Sequence, residues 1–200
     1  MKTGRIASAL FLVASLAVAN AQTVSFKVGG SRAQQLATVE SVTDFETFTG
    51  RTDKVTGSIQ FDPKAKKGSG RIVIDVASIG TGIDLRDDHM RSPGWLDAAK
   101  HPEITFEVKN SKNKGGDKYE VTGLLTLKGI TKEIKTQVVV KHLKESDVTR
   151  KAGFKGDVLQ VRGTFPIKLA DHGIVISGPA QGKVGEVVNA TISVYAQSGS

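Results

Sequence analysis

Most of this chain is written in period two. Val24, Phe26 and Val28 alternate with polar residues, and so do Val55, Gly57, Ile59 and Phe61. Ile72, Ile74 and Val76 follow, then Ile104, Phe106 and Val108. Tyr119, Val121, Leu125 and Leu127 share one parity, and Ile134, Val138 and Val140 share another. Leu159 to Leu169 makes a long stripe, and Val188, Ala190, Ile192 and Val194 close the series. Leu36 to Val42 is a further, weaker candidate. Strict alternation puts successive side chains on opposite faces of a strand, so each of these segments has one oily and one wet side.

The breaks between them are turn chemistry. "DPKAKKGSG" at 62–70, "NSKNKGGD" at 110–117 and "LKGITK" at 127–132 each join two strands through Gly, Pro, Asn or Asp. Connections this short make antiparallel hairpins. Strands so spaced predict an all-β sandwich or an antiparallel barrel in one domain, with no long helix, repeat or linker to divide it. A barrel of about eight strands is just wide enough to be filled by side chains or to hold one small ligand. Several inward-parity positions are small: Ala37, Gly57, Gly123, Gly163 and Ala190. They are compatible with a cavity or with sharp strand bends.

The first 21 residues read as a leader rather than as fold. Lys2 and Arg5 precede an apolar run from Ile6 to Val18, and Ala19-Asn20-Ala21 offers a small-x-small cleavage point before Gln22. The run falls short of the roughly 20 residues of a membrane span. The expectation is a signal peptide cleaved after Ala21, a barrel domain over residues 22–200, and a periplasmic or secreted protein. An uncleaved anchor is the alternative. The chain has no cysteine, so no disulfide framework or thiolate metal site is available. Its formal net charge is +8, two of which sit in the leader. A basic surface can favour anionic lipids or nucleic acid. An exported chain seldom meets nucleic acid, and dispersed lysines also serve simply as a solvated surface.

The alternation stops between Ile79 and Glu103. This connection is far longer than a hairpin loop. Leu85, His89 and Met90 fall at helical spacing after Asp84, a candidate helix cap. "SPGWLDAAKHPE" then reads as a turn and a short helix-compatible piece ended by Pro102. A long ordered connection of this kind covers one end of a barrel, with Met90, Trp95 and Leu96 plugging or lining the mouth.

The same stretch resembles the signature of the YceI-like family. Thr81, Arg86, Asp87, His89, Met90, Trp95, Leu96, Asp97, Pro102, Ile104 and Phe106 match its pattern in order. "VTGLLTLKGITKEI" at 121–134 and "LADHGI" at 169–174 are further matches. The resemblance spans most of residues 54–195. It implies a lipocalin-like antiparallel barrel, about 80–103 being a partly helical connection, that carries a long isoprenoid lipid inside. It also makes a homodimer plausible. The start of the mature chain departs from the better-known members and resembles a divergent branch with a Glu-x-Phe-x-Gly element at Glu46 to Gly50. That departure bears on the ligand's identity more than on the fold.

The chemistry agrees with a binding protein. A hydrocarbon ligand needs apolar walls and little else. Ile59, Ile74, Phe106, Leu125, Val138 and Phe165 are the candidate walls, with Trp95 over the mouth. A polar head such as a pyrophosphate or a quinone would seek Arg86, His89 or Arg91; alternatively Arg86 and Asp87 pin the connection to the barrel. Burying a tail of about forty carbons at ~0.8 kcal/mol per methylene sums to roughly 30 kcal/mol, above the practical ceiling of about 18–21 kcal/mol. The relevant starting state is therefore a membrane, where the tail is already dry, and transient membrane contact for loading follows. No resident cofactor is expected beyond a bound isoprenoid or quinone-type lipid. No nucleophile elbow, P-loop, dinucleotide fingerprint or metal-ligand spacing is present, so no catalysis is expected. The runner-up reading is a filled barrel serving as an envelope stress or interaction protein without a ligand.

Overall fold

The computed structural model describes residues 22–29 and 34–199. The expected leader and its cleavage point lie outside the described residues. Ten strands form one antiparallel sheet: β1 (Val24–Val28), β2 (Leu36–Val42), β3 (Thr47–Thr52), β4 (Val55–Asp62), β5 (Lys67–Asp75), β6 (Glu103–Gly115), β7 (Lys118–Leu127), β8 (Ile130–Leu143), β9 (Val158–Lys168) and β10 (Val187–Gln197). Their spatial order is β1-β4-β5-β6-β7-β8-β9-β10-β2-β3, and β1 also pairs with β10. The sheet therefore closes on itself as a barrel.

Ten strands occupy eight positions around this barrel. β1 and β2 follow one another along the same edge of β10, with Val28 opposite Ala196 and Leu36 opposite Ser193. β4 then pairs with β1 and β3 with β2. The weak alternation of Leu36–Val42 thus belongs to a true strand. The three expected hairpins are present. The tightest, between β7 and β8, turns on Lys128 and Gly129, both at positive φ (49° and 74°). Two successive positive-φ residues give the twist that a two-residue hairpin needs. A side chain at Gly129 would also run into the His101 ring.

Inward parity is realised on every strand, but the interior is not uniform. One end is packed solid. Phe26, Val28, Phe61, Tyr119, Leu159, Val194 and Ala196 are buried there, with Ile59, Val108, Val138 and Val161 against them. Phe61 meets Tyr119 edge-on at 6.1 Å, and Phe26 meets His142 edge-on at 5.9 Å. His142 turns its Nε2 to Asp157 Oδ2 at 2.9 Å, where Lys144 Nζ also donates at 2.9 Å. Burial works against the Asp157 charge, but Lys144, the Glu145 amide and His142 together hold its carboxyl below the ordinary value.

The long connection crosses the other end. Helix α1 (Asp84–Arg91) begins after Ile83, and Asp84 is its first residue rather than its cap. The carboxylate that organises this start is Asp87, one turn on. It accepts from the Thr81 amide at 2.8 Å and the Thr81 hydroxyl at 2.6 Å. The piece after Ser92 is a run of turns rather than a second helix, because Pro93 and Gly94 open it and Asp97 sits at φ 50°. The connection is stitched to the barrel at both ends. Arg51 and Gly80 exchange backbone hydrogen bonds, and the Val76 amide donates to Pro102 O at 2.9 Å. A second helix, α2 (Asp147–Lys151), lies in the β8–β9 link and is opened by a Ser146–Thr149 capping box.

Two measurements check this division of labour. Phe26 is fully buried in the packed end, so Phe26→Ala should cost about 3–5 kcal/mol of stability in urea unfolding. Burial raises the Asp87 pKa, but the Thr81 bonds, Arg91 and Arg86 outweigh it and hold the group below its ordinary value. The resulting stabilisation is complete above the unfolded pKa of about 3.9 and fades as pH falls through the lower native value. Asp87→Ala should therefore destabilise by about 1.5–3 kcal/mol at neutral pH. The gap from the native chain should shrink progressively once the pH drops below that of a free carboxyl.

Candidate functional site

Above the packed end the barrel is hollow. A cavity of about 1020 Å³ opens there and is closed below. Its height can be followed strand by strand. On β10 the wall holds Val188, Ala190 and Ile192; on β9, Phe165 and Ile167; on β7, Leu125 and Leu127; on β6, Ile104 and Phe106; on β5, Ile72 and Ile74. On β2 and β3 it holds Ala37, Val39, Phe48 and Thr52. Among the described residues, β1, β4 and β8 contribute none. The register makes this a common level: Ile192 faces Ala37, Ala37 faces Thr52, Ile72 faces Phe106 and Phe106 faces Leu125.

Seven of the nine residues expected from sequence meet at this cavity: Ile74, Arg86, His89, Trp95, Phe106, Leu125 and Phe165. Ile59 and Val138 lie elsewhere. They face inward as their parity requires, but below the cavity, packed against the buried cluster of Phe26 and Leu159. Arg91, the third candidate for a head group, turns away. Its Nη2 donates to Ile79 O at 3.1 Å.

The covering layer has two parts. One is the α1 connection, which brings Ile79, Leu85, Met90, Trp95 and Leu96 to the cavity. The other is residues 169–186, which sequence reading treated only as the "LADHGI" match. It supplies Ile174, Val175, Pro179 and Val184. A signal for it existed, since alternation also lapses between Leu169 and Val187. The two parts are tied together by Lys128, whose Nζ donates to Gly94 O and Gly173 O at 3.3 Å each. His172 is buried and its ring Nδ1 lies 3.1 Å from Ile130 O, so it anchors the second part rather than facing the cavity.

Polar groups gather at the mouth and are largely spoken for. Arg86 of α1 forms an ion pair with Glu46, and its guanidinium lies 4.4 Å from the centroid of the Phe48 ring. This clamps α1 onto β3, so Arg86 of the long family motif meets the Glu46 to Gly50 element here. His89 is exposed at the rim. Lys183 Nζ lies 5.8 Å from the Phe45 ring centroid. Around them stand exposed apolar side chains: Phe45 is 76% exposed, Val175 73% and Leu85 66%. The site thus has dry walls, an oily rim and a few charged groups at its edge. Among the described residues no cluster of His, Asp or Glu could hold a metal ion.

Comparison with known proteins agrees with this architecture. The family model of the YceI-like domain matches residues 17–196. The chain is 35% identical over 138 residues to a UPF0312 protein of Azotobacter vinelandii, covering 66% of this chain and 67% of that one. It is 33% identical over 136 residues to a UPF0312 protein of Vibrio parahaemolyticus, covering 67% and 68%. Among solved structures it is similar to BcnA of Burkholderia cenocepacia, with a TM-score of 0.70 and 26% identity over 84% of this chain and 99% of that one. A polyisoprenoid binding domain from Saccharophagus degradans shares the fold, with a TM-score of 0.64 and 19% identity over 88% of this chain and 99% of its own. A closed antiparallel barrel, a strapped mouth and a family match across nearly the whole described chain lead to one conclusion: this protein belongs to the YceI-like family.

Proposed function

We propose that this protein holds the hydrocarbon tail of a long lipid, of the polyisoprenoid or quinone type, inside the hollow half of its barrel, and performs no chemistry on it. The observation that carries this reading is the apolar cavity of about 1020 Å³, open at one end. That volume lies at the upper end of the range for small-molecule sites, about 300–1,000 Å³. The walls offer Ile, Val, Leu and Phe, and the polar groups stand at the mouth. A tail would therefore enter first and leave its head beside Arg86, His89 and Lys183. The likeness to a polyisoprenoid binding domain supports the same class of ligand. The alternative of a solid barrel describes the lower half of this molecule but not the upper.

The rim supports loading from a lipid surface. A tail that crossed water alone would expose its methylenes at a cost of about 0.8 kcal/mol each. Phe45, Leu85 and Val175 project at the opening and offer a dry path between bilayer and barrel. The leader read in residues 1–21 agrees with work in the periplasm or beyond.

Two readouts test the proposal. Protein purified gently from its native envelope should carry a lipid adduct in native mass spectrometry, and extraction should identify an isoprenoid or a quinone. Trp95 is the only tryptophan and lines the cavity. Titration of the delipidated protein with a long-tailed quinone should therefore quench its fluorescence saturably. A bare apo mass together with an unresponsive Trp95 would overturn the reading.

A further inference from the structure

We infer that the stacked pair Phe106–Phe165 is a floor that gauges how long a hydrocarbon chain the barrel accepts. The inference rests on the lipid-holding reading above and adds a specificity-determining element to it. The two rings lie 6.2 Å apart, centroid to centroid, with planes 26° apart. Both line the cavity, and Phe106 also packs against the buried cluster beneath. They stand where the hollow half meets the filled half.

The seat for this floor is built into the strands. Phe106 pairs with Leu125, yet its ring lies across Gly123, the next inward position on β7. A Cβ at Gly123 would overlap the ring tip, so glycine there is what lets Phe106 lie down along the sheet instead of standing into the lumen. On the facing wall, inward Gly163 of β9 leaves room for Val138 of β8 to fill the space just below Phe165. Under the rings the interior is already occupied by Val108, Val121, Val138 and Tyr119. No tail can pass deeper without displacing them.

The geometry then limits depth. From Val188 at the top of the β10 wall to Ile192 at the floor is about 14 Å at ~3.4 Å per residue. The covering segments add height above that. A straight tail as long as a bilayer core, ~30 Å, exceeds the strand-borne wall. Long chains must fold back or protrude between the covering segments, whereas shorter ones seat fully. At the level of the floor Ala37 pairs with Ile192 and Ala190 with Phe165, and both alanines are small, so width is generous where depth is not.

The test uses delipidated protein and an equimolar mixture of farnesol, geranylgeraniol and solanesol, with bound species read by native mass spectrometry. Phe106→Leu and Phe165→Leu lower the floor and should move the bound ratio toward the longest prenol by roughly tenfold, the lower bound for a changed methylene in an apolar pocket. Ala190→Leu fills the shaft and should move it toward farnesol. Circular dichroism confirms that each variant is folded; if the leucine variants are not, Ala190→Leu decides alone, because it removes nothing from the packed end. Folded variants that keep the native ratio would overturn the gauge while leaving the carrier intact. A native chain that takes up none of the three, and leaves Trp95 unresponsive to a long-tailed quinone, would overturn the carrier reading itself.

Discussion

Every strand here has one oily face, and a lone sheet can hide such faces only by curling onto itself. The closure falls on β10, whose single free edge is taken up in turn by β1 and β2. That division shapes the molecule. At the β1 end the ring is β10–β1–β4–β5, with strands paired directly all the way round. At the β2 end the next neighbour of β3 is not a strand but Gly80, at the start of the long connection. The barrel is therefore tight at one end and widened by about one connection at the other. The packed cluster sits in the tight end and the cavity in the wide one.

It follows that the α1 connection is wall as well as lid. Its placement depends on polar contacts that close on themselves: Asp87 with Thr81, Arg86 with Glu46, Gly80 with Arg51. Half-buried charge is costly unless it is paired and hydrogen-bonded, and here Asp87 is held by Thr81, Arg86 by Glu46 just before β3, and Arg91 Nη2 by Ile79 O, with only the buried Arg91 Nε left over. This is why so dense a run of charge as "RDDHMR" can border an apolar chamber without wetting it. For Arg86 the alternatives are head-group recognition and pinning of the connection, and its contacts with Glu46 and the Phe48 ring are those of a pin.

Much of this was legible in the chain. Period two gave the strands and their inward faces, and the lapse after Ile79 gave the covering segment. What parity cannot give is height. Ile59 and Ile74 look alike in sequence and lie on neighbouring strands. Ile59 falls at the level filled by Phe26 and Phe61, and Ile74 at the level left open. Level depends on register across the whole ring, which no local pattern encodes. The pairing of Arg86 with Glu46, forty residues apart, escaped for the same reason. The second covering segment, 169–186, escaped because it has neither a tryptophan nor a charge cluster to mark it.

The distribution of polar groups also bears on how firmly a cargo is held. On the carrier reading proposed above, a tail moving from bilayer to barrel would exchange one dry environment for another, so its area would contribute little net free energy. What remains is packing fit and the head. Fit is modest in a chamber with alanines in its walls, since dispersion falls off where partner atoms are missing. A head would meet an arginine already committed to Glu46 and Phe48 and an exposed histidine. A strong head-group site would need several desolvated donors aimed into the cavity, whereas Arg86 is paired with Glu46, His89 is exposed, and Arg91, whose buried Nε has no partner, turns its guanidinium to Ile79 O. On that same carrier reading, weak retention would suit a vehicle that releases its load, and the exposed side chains of Phe45, Leu85 and Val175 would keep the way out as dry as the way in.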